Sequence, residues 1–563
     1  MRRFGVALLL AAAAQSTVTA ADIIHANNTN AANAGTAWTG GVAPGTGDVA
    51  VWDSTVSGTN LTSLMGGNLS WKGIRIANNV AGAVALNHAS GNVLTLGSSG
   101  IDMSVASGNL TLLSTANTAG SISVGATQTW TVASSRVLTL FGTSNSANQA
   151  LTGSGNITVS GAGSVYLNTG DSTATGFTGG GNSGYSGNWT IGGTAIVRNL
   201  RNGVNAWGTG TITLAGGTIG QNAGSWSWGN NIVLQASSTS SIDDYNTSTS
   251  NRSLRLYGGI SGSGNLVFKR SGQTGTANQD AATGYILAGV NTLSGQVTIN
   301  SGTFVRVGGD GTASSSTNAG SSGSLGTASV VNNGNLTFTR SDTVTVSNVI
   351  SGTGVVNVGG VIGKLVTGAG TQALTLSGLN SYSGGTELVQ GSLTVSALSG
   401  IGSGYLAVKN GATFNYGGGT ASTTRALWLD NGSATLNVTD ANAVLTWTDS
   451  STKGGASGAL ITKGGAGTLV LDGAITSGGT TALTVSGGTL RLNGVNTYTG
   501  ATTISSGATL DVSGSGSLAS STAISLAGTL SLSTSTNQTL GSAITGAGSL
   551  SMSGTGTLTL SST

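Results

Sequence analysis

Leu374-Thr-Leu-Ser-Gly-Leu-Asn-Ser-Tyr-Ser-Gly-Gly-Thr386 and Leu490-Arg-Leu-Asn-Gly-Val-Asn-Thr-Tyr-Thr-Gly-Ala-Thr502 are one segment written twice, and they align without a gap. Each continues into a second alternating stretch, Gly391-Ser-Leu-Thr-Val395 and Gly507-Ala-Thr-Leu-Asp-Val512. Fainter copies lie at Leu287-Ala-Gly-Val-Asn-Thr-Leu-Ser-Gly295 and Gly184-Tyr-Ser-Gly-Asn-Trp-Thr-Ile191. A turn of the form Ile-x-Gly-x-Gly recurs at Ile260, Ile350 and Ile544, with Leu151-Thr-Gly-Ser-Gly155 as a variant. A short strand pair cannot bury its apolar side chains alone, so self-similar strand units stack like on like.

The rest of the chain has the same style. Val93-Leu-Thr-Leu96, Leu110-Thr-Leu112, Trp130-Thr-Val132 and Leu138-Thr-Leu140 alternate with period two between clusters of Gly, Asn, Ser and Thr. Past the N-terminal segment no run of ten or more residues carries helical apolar spacing. The pattern predicts an all-β chain of short strands coiled into a solenoid, with on the order of 20 to 25 coils if each takes roughly 20 to 25 residues. Composition agrees: of 563 residues 97 are Gly, one is Pro, none is Cys, and 6% are charged. One proline excludes collagen, and zero Cys excludes a disulfide scaffold. A 37% hydrophobic share excludes disorder. Gly and Asn supply the positive φ of tight corners, and scarce charge avoids like-charge columns along the stack.

Met1 to Ala20 has Arg2-Arg3, an apolar core at Val6 to Ala14 and small residues at Val18-Thr19-Ala20, the pattern of a cleaved secretory leader. The formal charge of +3 falls to near neutral without those arginines, which argues against a nucleic-acid partner. The expected organisation is a leader at 1–20, an N-terminal cap at 21–59 holding the only proline, Pro44, and a solenoid over 60–563 whose clearest repeats span 368–395 and 484–512.

The Leu-x-Leu-x-Gly-x-Asn-x-Tyr-x-Gly-x-Thr pattern at 374–386 and 490–502 resembles the autotransporter-associated β-strand repeat, also called the passenger-associated transport repeat. The resemblance implies a right-handed parallel β-helix in the passenger of a bacterial type V secreted protein, displayed at the cell surface or released from it. It also implies an outer-membrane translocator or anchor. The chain reaches Leu558-Thr-Leu-Ser-Ser-Thr563 without a run of ~10-residue amphipathic barrel strands, so that partner is expected in another polypeptide or beyond this sequence.

Chemistry is sparse. There is no Gly-x-Ser-x-Gly elbow, no Cys and only His25 and His88, so neither a nucleophilic triad nor a zinc site is expected. No catalytic residue, metal or cofactor is assigned. Gly179-Gly-Gly-Asn-Ser-Gly184 matches a dinucleotide fingerprint in letters alone, since no helix follows it. The most site-like cluster is the only adjacent acidic pair, Asp243-Asp244, with Tyr245, Trp226-Ser-Trp228, Arg252 and Arg255 near it. Alternation places both indoles on one side of a strand, where exposed rings would stack on a sugar. The reading is a non-enzymatic stalk or adhesin-like passenger whose partner classes are a surface glycan or self-association. Its rival is a polysaccharide-binding or polysaccharide-degrading β-helix with a site at Trp226, Trp228, Asp243, Asp244 and Tyr245. Tyr382 and Tyr498, at matching repeat positions, are expected to pack between coils.

Overall fold

The computed structural model describes residues 21–561, apart from 81, 90, 115–118, 142–148, 168–183, 201–206, 222–225, 246–252, 273–283, 310–318, 362–363, 366–368, 430–431, 451–458, 477–479 and 521. The leader at 1–20 therefore lies outside the described residues. The chain is a parallel β-solenoid of about nineteen turns, slightly fewer than the assumed coil length suggests. Among the described residues there is no α-helix, and every strand pairing is parallel except the small hairpin of Gly360–Val361 with Lys364–Leu365.

Period-two alternation drives the stack. In Val137–Leu140, Leu138 and Leu140 point inward, with Val137 and Thr139 half exposed. Register then aligns inward residues coil over coil, giving the column Leu110, Leu138, Val165, Val197, Ile219, Ile242, Phe268, Ile299. Each of these is at most 1% exposed. Burying one such side chain is worth about 1.5–3 kcal/mol, and only the neighbouring coil supplies the cover.

Sheets start and stop along the axis. The first runs from Asp22–Ile24 to Ile260–Gly262, the second from Thr62–Leu64 to Ile350–Ser351, and the third from Trp226–Trp228 to Leu427–Trp428. A fourth, Thr343–Val346 to Ile544–Thr545, and a fifth, Ala421–Thr423 to Ser549–Met552, continue the stack. Residues 21–59 contribute the first two strands of the first sheet, and His25, Trp38 and Trp52 meet there with ring centroids 5.1 to 5.6 Å apart.

The recurring Ile-x-Gly-x-Gly turn has a steric cause. Gly153, Gly262, Gly352 and Gly546 all have φ between +95° and +113°, and a Cβ on any of them would sit 2.2 to 2.4 Å from a carbonyl oxygen of the preceding coil. The second glycine of each turn meets the preceding coil as closely, at 2.2 to 2.3 Å for Gly155, Gly264, Gly354 and Gly548.

The repeat's asparagine caps a backbone N–H of the preceding coil, and at Ile260 and Ile350 it closes a sheet. Asn291, Asn380 and Asn496 each accept, through Oδ1 at 2.8 Å, the backbone N–H of an isoleucine in the preceding coil: Ile260, Ile350 and Ile475. The next residues run alongside as a strand would, Thr292 N–H donating to Ile260 O, Ser381 to Ile350 O and Thr497 to Ile475 O. The carboxamide oxygen thus stands in for the carbonyl that a further strand would supply. The other end of each carboxamide reaches forward, Nδ2 donating to Ser324 O, Gly400 O and Ser517 O respectively, at 2.7 to 2.9 Å. One residue therefore holds three successive coils.

The repeat's Tyr and Thr also pair. Tyr382 and Tyr498 are fully buried. Their hydroxyls lie 2.6 and 2.8 Å from Thr386 Oγ1 and Thr502 Oγ1. Thr386 donates onward to Ile401 O, so Tyr382 is the donor of its pair. Burial raises both phenols well above the ordinary tyrosine range. Asn, Ser and Thr columns bond partly to themselves, as in Asn437 Nδ2 to Asn415 Oδ1 at 2.7 Å, but most of these side chains staple backbone.

Candidate functional site

Asp243 and Asp244 end the strand Thr239–Asp244, and both are buried, at 2% and 3% exposure. Register puts Asp243 beside Gly220 in the preceding coil and Lys269 in the following one. Gly220 is required there, because a Cβ would meet Asp243 O at 2.5 Å. Ser271 N–H donates to Asp243 Oδ1 at 3.0 Å, and Ser271 Oγ donates to Oδ2. Lys269 Nζ is 4.0 Å from Asp243, and Arg270 Nε is 3.3 Å from Asp244 Oδ2. The acidic pair is thus answered, coil on coil, by an adjacent basic pair.

Tyr285 lies beneath this corner, its hydroxyl within reach of Lys269 O at 2.6 Å and Ile242 O at 3.0 Å. Burial, reinforced by the two carboxylates, pushes its phenol well above the ordinary value. Tyr245 carries the Arg198 guanidinium 3.4 Å above its ring centre, a cation–π contact in a largely desolvated setting.

The structure unites Asp243, Asp244 and Tyr245 but not as an open cleft. Trp228 is 1% exposed and packs edge-on against Trp207 at 5.4 Å, so it offers no exposed indole. Trp226 pairs through its backbone with Leu254, while its side chain and Arg252 lie outside the described residues. Arg255 sits buried in register between Ser227 and Ile286. Both carboxylates are buried and committed to side-chain and backbone donors of the following coil. Among the described residues no group of three or more His, Cys, Asp or Glu comes together to hold a metal ion. On the fifth sheet an open groove of about 790 Å³ shows the same economy: Arg491 bonds Asp511 at 2.8 Å and Asn493 bonds Asp472 at 2.7 Å, each one coil away.

An exposed aromatic surface exists elsewhere. Trp428, in the last strand of the third sheet, is 40% exposed and stacks on Tyr405 with centroids 4.1 Å apart and planes 21° from parallel. Tyr405 Oη donates to Glu387 Oε1 at 2.9 Å, and Lys409 Nζ lies 3.3 Å from Glu387 Oε2. Burial and the Glu387 charge hold the Tyr405 phenol above its ordinary value, keeping it a proton donor. The signal for this surface is Leu427-Trp428-Leu429, where buried leucines on both sides send the indole outward.

No known family, curated protein or solved structure matches the chain in comparison. The solenoid and the geometry above carry the functional argument.

Proposed function

We propose that the chain is a secreted or surface-displayed, non-enzymatic repeat protein, a stalk or adhesin-like passenger with the autotransporter-associated type of repeat. The observation that carries this reading is the fate of its polar side chains. The repeat's Asn, Tyr and Thr residues and the Asp243-Asp244 pair are committed to joining coils. Charge spent on joining coils supports the reading of an extended surface. The leader-like segment at 1–20 and the zero cysteine count suit export through a narrow outer-membrane route. Each coil buries apolar surface against the one before, so coils added outside a membrane would oppose backsliding of the chain. An outer-membrane translocator or anchor is the partner this requires.

The test is expression of the full chain in a bacterium with an outer membrane, followed by fractionation and N-terminal sequencing. Processing after Ala20 and recovery outside the cytoplasm are expected. Unprocessed protein with an intact Met1 end, retained in the cytoplasm, would refute the proposal.

A further inference from the structure

Every other tryptophan whose side chain is described is at most 2% exposed, which makes Trp428 the exception. Its place in the fold explains the exposure. The third sheet ends at Leu427–Trp428, and the Leu427 N–H goes to a side chain, Asp449 Oδ2, at 3.3 Å. Among the described residues no strand pairs beyond Leu427–Trp428, and the indole stands out as a ledge.

The ledge is pre-organised. The Tyr405 ring lies against Gly385, where an added Cβ would come within 2.5 Å of it, so the ring cannot sink further. Its hydroxyl is fixed by Glu387, and its face supports Trp428. Binding there orders little that is not already ordered, which lowers the entropic cost. At the rim, each Glu387 oxygen keeps a second acceptor site beyond the one used, and Lys409 has further N–H donors.

From this geometry we propose that Trp428, Tyr405, Glu387 and Lys409 form a carbohydrate-binding site for a neutral hexopyranose residue of a glycan. A pyranose has one face of C–H groups and a rim of hydroxyls. The first matches the exposed indole, and the second matches a carboxylate beside an ammonium. A protein partner is disfavoured by size: a stable interface buries about 800 Å² per side, whereas here one exposed ring is bordered by charged groups. Hydrolysis is not part of the proposal: it calls on two carboxylates astride the bond, and the four residues of the site supply one, Glu387, which is already bonded to Tyr405 and Lys409.

The test uses purified full-length chain with cellohexaose, chitohexaose and maltohexaose as probes, read by saturation-transfer NMR and calorimetry. Saturable binding of at least one probe is expected, weakened at least about tenfold in Trp428→Ala and measurably in Lys409→Met, with unchanged circular dichroism. No binding of any probe by the wild-type chain overturns the site, as does undiminished binding in Trp428→Ala. Should Trp428→Ala disturb the fold, Lys409→Met and Glu387→Gln decide: affinity unchanged in both overturns the site. The site rests on Trp428 and its neighbours, not on surface display, so the fractionation result and the binding result fail separately.

Discussion

Replacing Asn496 by alanine should open the solenoid locally. Asn496 is 2% exposed, and its Oδ1 is the acceptor for the N–H of Ile475, itself fully buried. Alanine leaves that donor unsatisfied where water has little access, a cost of about 1–3 kcal/mol. The Nδ2 bonds, forward to Ser517 O at 2.9 Å and within the same coil to Gly494 O at 2.8 Å, are lost as well, at about 1 kcal/mol each. The sum is about 3–5 kcal/mol, concentrated on the coils containing 475, 496 and 517. Native-state hydrogen exchange is the assay, because a long stack opens in parts. Exchange at Ile475 and Thr497 should accelerate by about two orders of magnitude or more, while Leu138, many coils away, is unaffected. Asn496→Asp keeps the acceptor but loses the donors and buries a charge, so it should be no better at neutral pH. Val495→Thr, one residue earlier and at a position 56% exposed, should change nothing. Protection at Ile475 within tenfold of wild type in Asn496→Ala would refute the staple.

Two further expectations concern buried bases. Lys463 occupies the aliphatic column Phe414, Leu436, Lys463, Val485, Ile504 and donates to Gly465 O and Gly487 O. Burial lowers its ammonium to about 8 from 10.5, so the folded state favours the neutral amine and wild-type stability gains as pH rises from about 8 towards 10.5. Lys463→Met should remove that pH dependence, leaving stability flat between pH 8 and 10.5 where wild type gains, measured by thermal melts across pH. His25, stacked 5.3 Å from Trp52 and 3.0 Å from Ser63 Oγ, is likewise lowered from 6.5 by burial. Its contribution is complete above pH 6.5 and is lost as pH falls below it, so exchange at Ile24 and Val51 should quicken on mild acidification in wild type and not in His25→Phe.

The solenoid was legible because its signals are local. Alternation gives the inward column, and the Ile-x-Gly-x-Gly turns mark places where a side chain would strike the coil below. The role of the repeat's asparagine was not legible, because its partner lies a full coil away and coil length varies. The residue whose N–H it accepts is 31 positions upstream for Asn291, 30 for Asn380 and 21 for Asn496. The burial of Trp228 and of the acidic pair was illegible for a related reason. Trp226-Ser-Trp228 shows which residues share a face but not which face is buried, since Ser225 and Gly229 on either side carry no apolar vote. Leu427-Trp428-Leu429 carries two. Asp243-Asp244 looked like an unmatched acidic pair because the basic residues that answer it, Lys269 and Arg270, are 26 positions on.

The relay of sheets also explains where a binding surface can arise on such a rod. A column that ends leaves backbone N–H groups that need acceptors. At Ile260 and Ile350, in the last strands of the first two sheets, an asparagine supplies the acceptor and, through its amide nitrogen, grips the coil that follows. At Leu427 the acceptor is Asp449, whose side chain lacks the amide nitrogen that makes the second grip. This column, closed by Asp, ends in the strand that presents Trp428 to solvent. A choice between amide and acid at a closing residue therefore decides whether a sheet ends sealed or ends as a ledge, and the ledge is where a stack otherwise built of self-satisfied coils has chemistry to offer a ligand.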